Sequence, residues 1–156
     1  MGDADTTGAT ARGSCCGGGP HACVFAKAVV SRSVDCELAR RGTMGESELV
    51  TCASPVARTH CGTLAALLRE RATFALKLPR PGTPLVHAKA LQLQCGGLLA
   101  LQRVLGADAA NEAGDVHRMV ALAQRRWGSL LDAPWGDIVP ALAAWQPRRR
   151  HRPQPR

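Results

Sequence analysis

The chain has 156 residues, a formal charge of +8, 3% aromatic residues and no Tyr, which allows one modest core and excludes a large multidomain enzyme. Arg148, Arg149, Arg150, Arg152 and Arg156 supply five of those charges, so 8 − 5 leaves +3 for everything before them. The basic character therefore belongs to the tail, and a nucleic-acid surface spread over the whole domain is excluded.

Residues 1–21 form a Gly-containing extension with Gly13, Gly17, Gly18, Gly19 and Pro20, a composition that buries too little apolar surface to offset its ordering entropy. They hold no secretory apolar run, and no stretch approaches the roughly 18 apolar residues of a spanning helix. A cytoplasmic protein with no membrane partner is expected. The start Met1-Gly2 with Thr6 formally fits a myristoylation pattern, which the adjacent Asp3 and Asp5 oppose at an anionic surface.

Residues 22–146 read as a single helical domain, and residues 147–156 as a basic disordered tail. The β-branched run Val24, Val29, Val30 and Val34, then Leu49-Val50 before Cys52, with turn residues at Gly42-Thr43-Met44-Gly45 between them, predicts a short N-terminal β-hairpin that brings Cys36 and Cys52 together. Ser54-Pro55 is a helix start. The stripe Ala57, Cys61, Leu64, Leu68, Ala75 and Leu78 follows, ending before Pro79-Arg80-Pro81-Gly82.

Thr83-Pro84 repeats the start signal for a second helix, with Leu91, Cys95, Leu98, Leu99, Gln102 and Leu105 on one face and Gly106 as its stop. Consecutive helices with a short connection pack antiparallel, which would set Cys61 and Cys95 face to face. A third helix is expected over residues 111–126, with Val116, Met119, Val120 and Ala123 inward, and a last one over residues 134–145, kinked or restarted at Pro140. The fold class is therefore mainly α, a small bundle of about four helices beside the hairpin. Trp127, Trp135 and Trp145 are expected as core or cap residues.

The chemistry lies in the cysteines. Cys15, Cys16 and Cys23 are assigned to the extension, whereas Cys36, Cys52, Cys61 and Cys95 fall in the ordered part. In a reducing compartment, thiols are more often ligands or reactive groups than disulfides. Four internal thiols suffice for a closed metal site, so these four are the candidate ligands. Their spacing, Cys-x15-Cys-x8-Cys-x33-Cys, matches neither a ferredoxin run nor a zinc finger.

Gly62 after Cys61 and Gly96-Gly97 after Cys95 each cost a helix about 1 kcal/mol relative to Ala. Something bulky approaching the backbone there accounts for them, as does tight packing between helices. The leading expectation is an iron–sulfur cluster of the [4Fe–4S] kind, with zinc as the alternative cofactor. His60, beside Cys61, and His87 are the histidines that could replace a thiol.

Full thiolate ligation leaves no exchangeable iron position, which favours electron transfer or service as an accessory factor to a metalloenzyme over catalysis. The expected partner is thus a redox protein or a metalloenzyme. The alternative is a zinc-stabilised or metal-free interaction module whose Arg-rich tail binds an acidic partner or nucleic acid. No thioredoxin pair, haem attachment site, phosphate loop or dinucleotide fingerprint is present. Asp35, Glu37, Glu46 and Glu48 read as a solvated face. Cys61 activated by His60 is a poor nucleophile, since neighbours on a helix point about 100° apart.

Overall fold

Residues 19–106 and 114–147 are described by the computed structural model of the chain. Cys15, Cys16, the Arg residues from Arg148 onward and the expected helix start at Asn111 lie outside them. Among the described residues the protein is mainly α, with one two-stranded antiparallel hairpin.

The hairpin runs β1 (Ala39–Met44) to β2 (Ser47–Cys52), with Ala39 opposite Cys52 and Met44 opposite Ser47. Gly45 takes φ +64° at the first position of the two-residue connection, where the tight turn wants a left-handed residue. β1 turns only Ala39 toward the core, whereas β2 buries Val50 at 2% exposure. The expected first strand is displaced: Val29 and Val30 lie in helix α1 (Ala26–Val30), which buries Ala28 and Val29. Ala28 and Val29 are buried while Val30 is 39% exposed, and burial of that face decides for the helix.

Helix α2 (Pro55–Leu76) starts as expected, with Ser54 Oγ accepting from the Ala57 N–H at 3.2 Å and Pro55 in the first turn. It ends one residue before Lys77, which takes the left-handed conformation at φ 52°. Its buried line continues through Ala72 and Leu76 rather than Ala75 and Leu78. The second helix begins at His87, not Thr83: Arg69 Nη2 donates to the Thr83 carbonyl at 2.7 Å and holds that segment as a loop. It comprises α3 (His87–Leu91), a π-helical turn over Gln92–Gly96 and α4 (Gly97–Leu105).

Helix α5 (Val116–Trp127) is capped by Asp115, and α6 (Trp135–Ala144) carries Pro140 inside without interruption. Leu64, Leu98, Leu101, Leu105, Met119, Ile138 and Leu142 fill the centre, each at most 1% exposed. The three Trp side chains are half-buried against this core. Trp135 Nε1 donates to the carbonyls of Leu130 and Leu131, 3.2 Å from each. Of the two Phe, Phe25 is 1% exposed and Phe74 is 94% exposed, so only Phe25 anchors the interior. No helix among the described residues is long and apolar enough to cross a membrane.

Candidate metal centre

Four cysteines from four separate segments line one small pocket: Cys23, Cys36, Cys52 and Cys61. Each arrives by a different local device. Cys23 precedes α1 and is fixed to β2, its N–H donating to the Val50 carbonyl at 2.9 Å. The Cys52 N–H returns the tie, donating to the His21 carbonyl at 2.9 Å.

Cys36 sits in the turn leading into β1, where the Ala39 N–H donates to its carbonyl at 3.0 Å. That turn is pinned to the start of α5. The Asp35 N–H donates to the Gly114 carbonyl at 2.6 Å, and the Val116 N–H donates to the Asp35 carbonyl at 2.9 Å. Asp115 accepts from the Glu37 N–H at 2.7 Å and caps α5 by accepting from Arg118 N–H at 2.9 Å. Cys52 ends β2, and its thiol donates to the Ser54 carbonyl at 3.3 Å. Cys61 lies in the second turn of α2.

The remaining walls are apolar, including Phe25, Leu38, Ala57 and Val116, with Arg58 and His117 at the margin. All four thiols are half-buried and unpaired as disulfides. The enclosed space is about 20 Å³, room for about one water.

Burial pushes the Cys61 thiol up to about 12, with the neighbouring Cys36, Cys23 and Cys52 sulfurs adding to the rise. Burial also raises Cys23, opposed by the backbone N–H of Phe25. Cys36 is raised chiefly by burial, opposed by the backbone N–H groups of Leu38, His117 and Ala39. Phe25 and Leu38 each stand two residues beyond the cysteine they serve, and His117 is in the first turn of α5. Four like charges cannot share this apolar space unaided; a cation among them removes both the mutual repulsion and the desolvation cost.

Of the expected ligands, Cys36, Cys52 and Cys61 come together, and Cys95 does not line this pocket. Cys95 is fully buried in the π-helical turn, with its Sγ 3.4 Å from Ser31 Oγ. Its helix does touch α2, but Gly97 meets Leu68, seven residues beyond Cys61 and so about 10 Å further along α2. The glycines are separated in the same way. A Cβ on Gly96 would stand 2.9 Å from Trp145 Cβ, and one on Gly97 would stand 2.7 Å from Leu68 Cδ1. Packing between helices explains this pair, whereas Gly62 faces open space.

His60 is not on the pocket wall, and His87 Nδ1 lies 3.3 Å from Lys27 Nζ elsewhere. Glu37 is paired with Arg118 at 3.1 Å, and Glu48 with Arg41 at 2.6 Å. Cys23 is the ligand candidate that composition hides, because it follows the Gly-rich stretch directly. Its signal is position: it falls just inside the domain start at residue 22, and including it gives a compact Cys-x12-Cys-x15-Cys-x8-Cys.

Among the described residues, no group of three or more His, Cys, Asp or Glu side chains converges as the ligand set of one metal ion. No family model matches the chain, and neither a curated protein nor a solved structure matches it.

Proposed function

We propose that this chain is a small cytoplasmic iron–sulfur protein that holds a [4Fe–4S] cluster through Cys23, Cys36, Cys52 and Cys61 and serves in electron transfer. The supporting observation is the arrival of these four cysteines, from the segment before α1, the turn before β1, the end of β2 and helix α2, at one apolar pocket. Burial raises the Cys23 and Cys36 thiols, and the backbone N–H groups of Phe25 and Leu38 only partly oppose it, so ligation there would call for a cation to offset that cost. Four thiols from four segments match the ligand number of a cubane cluster.

With all four thiolates engaged, no iron position is left for substrate, and the half-buried site lies close enough to the surface for an electron to leave. The chain's own contribution is to hold the thiolates, shield them with Phe25, Leu38 and Val116, and stabilise their charge with backbone N–H groups. The raised Cys61 thiol is a poor nucleophile near neutrality, which disfavours thiol catalysis at this site.

The test is protein purified without oxygen, with its ultraviolet–visible spectrum and its iron, sulfide and zinc contents. A broad absorbance near roughly 400 nm that bleaches with dithionite, together with iron and sulfide, is expected. Stoichiometric zinc without sulfide, or a folded metal-free protein, overturns the reading.

A further inference from the structure

Cys23 lines a second concavity as well as the cysteine pocket. This groove is bounded by α1, the hairpin and α3 and holds about 600 Å³, a volume typical of small-molecule sites. Its walls are largely apolar, with Val24 and Val30 from the α1 segment, Met44 and Leu49 from the hairpin and Leu91 from α3. Val30 and Met44 are exposed, so part of this lining meets water in the empty groove. One cation is set into the apolar surface: Lys27 Nζ donates to His87 Nδ1 at 3.3 Å, and both residues line the groove. An ammonium carries three protons and accepts none, so two remain for an anion. No carboxylate stands within ion-pair distance of Lys27 among the described residues. Glu48, the acid among the lining residues, is already held by Arg41 at 2.6 Å.

We infer that this groove binds a free medium-chain fatty acid, with its carboxylate on Lys27 and its hydrocarbon chain along Val24, Val30, Met44 and Leu49. A single cation in an apolar trough matches a ligand with one anionic end and an apolar body. Burial of the chain supplies the affinity, and the ammonium selects the head group. A concavity of this size is filled by a small molecule, whereas the facing surface of a folded protein would leave a void and lose those contacts. Binding is non-covalent and does not rest on the cluster proposed above, so a metal-free protein tests it equally.

The experiment is calorimetric titration of the full chain with decanoate, dodecanoate and decanol, each kept below the concentration at which it aggregates. Decanoate should fill one site per chain and bind about 3- to 10-fold tighter than decanol, the margin of a partly exposed charge contact. Dodecanoate, longer by two methylenes, should bind about 3- to 15-fold tighter than decanoate. Lys27→Ala should bring decanoate down to the affinity of decanol and leave decanol unchanged. Arg125→Ala removes the same charge from α5, which contributes nothing to the groove's lining, and should alter neither. Val30→Glu and Met44→Glu, at exposed positions and checked for their fold by circular dichroism, should each weaken both ligands about 10-fold or more by placing a charge against the chain. Equal affinity for decanoate and decanol, decanoate binding indifferent to Lys27→Ala, or no saturable binding overturns the assignment. So does a dimer in analytical ultracentrifugation that Val30→Glu dissociates and decanoate does not, which gives the groove to a second copy of the chain. Binding to phosphatidylglycerol vesicles without binding of monomeric decanoate overturns it as well, in favour of a lipid surface.

Discussion

The backbone of Cys23 is joined to that of Val50 by a 2.9 Å hydrogen bond, and this bond carries the chain preceding α1 into the candidate site. Val50 is buried at 2% exposure, so the anchor is firm, and Cys23 is held opposite the strand that ends in Cys52. Single Cys→Ser variants at positions 23, 36, 52 and 61 should each lose most of the bound iron and the visible absorbance, with a lowered thermal midpoint because bound metal favours the folded state. Cys95→Ser should keep full iron. It should lose only stability, about 1–3 kcal/mol, because a hydroxyl replaces a fully buried sulfur. Iron retained by Cys23→Ser and lost by Cys95→Ser would reverse the assignment, as read by iron analysis beside urea titration.

Gly96 and Gly97 stand against neighbouring segments with no room for a Cβ. Ala at position 97 would drive its Cβ to 2.7–2.8 Å from the Leu68 methyl carbons, and Ala at position 96 to 2.9 Å from Trp145 Cβ and 3.1 Å from the Leu142 carbonyl oxygen. Overpacking of this kind costs about 1–3 kcal/mol, against about 1 kcal/mol regained from helix propensity. Gly96→Ala should be the more harmful, since it meets a backbone oxygen and the rigid base of a side chain, whereas the Leu68 methyls can rotate. Urea denaturation of both variants would show the order, and iron content should remain unchanged in each.

How legible this was depends on the range of the signal. The capped start of α2 at Ser54-Pro55 is a local signal, and so is the inward phase of Cys61 and Cys95; both appear in the structure. The identity of the thiol cluster is not local. Cys95 is inward in phase, yet its helix meets α2 at Leu68, so it buries itself near Ser31 instead of beside Cys61. Helical periodicity fixes a face and says nothing of height along the partner. Cys23 was hidden for the complementary reason: its order comes from hydrogen bonds to β2, nearly thirty residues away, while its immediate neighbours have the composition of a disordered extension. The hairpin was visible through its turn, but its first strand, Ala39–Met44, is largely exposed and lacks the apolar alternation by which strands are found.

Gly62 offers a test of how near the bound group comes to helix α2. An added Cβ there meets nothing within 4 Å, so Gly62→Ala should raise the stability of the metal-free protein by up to about 1 kcal/mol through helix propensity alone. The metal-loaded protein should gain similarly and keep its iron. A variant that is stabilised when metal-free but binds less iron would place the cluster against the backbone at position 62.

Asp115 couples the site to the bundle. Its two oxygens accept from the Arg118 N–H at 2.9 Å and the Glu37 N–H at 2.7 Å, so one carboxylate caps α5 and also fixes the turn that carries Cys36. Removing it leaves a helix N-terminus uncapped, typically a loss of about 0.5–2 kcal/mol, and frees the Glu37 N–H to solvent. Asp115→Ala should therefore lower the stability of the metal-free protein by about 2 kcal/mol. It should also loosen the backbone donors from Leu38 and His117 toward Cys36, so iron should leave faster when a chelator is added. Ser54→Ala is the control for a lost cap without that second role. Its hydroxyl accepts only from Ala57 N–H at the start of α2, and its loss should cost about 1 kcal/mol with a smaller change in iron release. If the two variants released iron equally fast at matched stability, Asp115 would be a helix cap and nothing more.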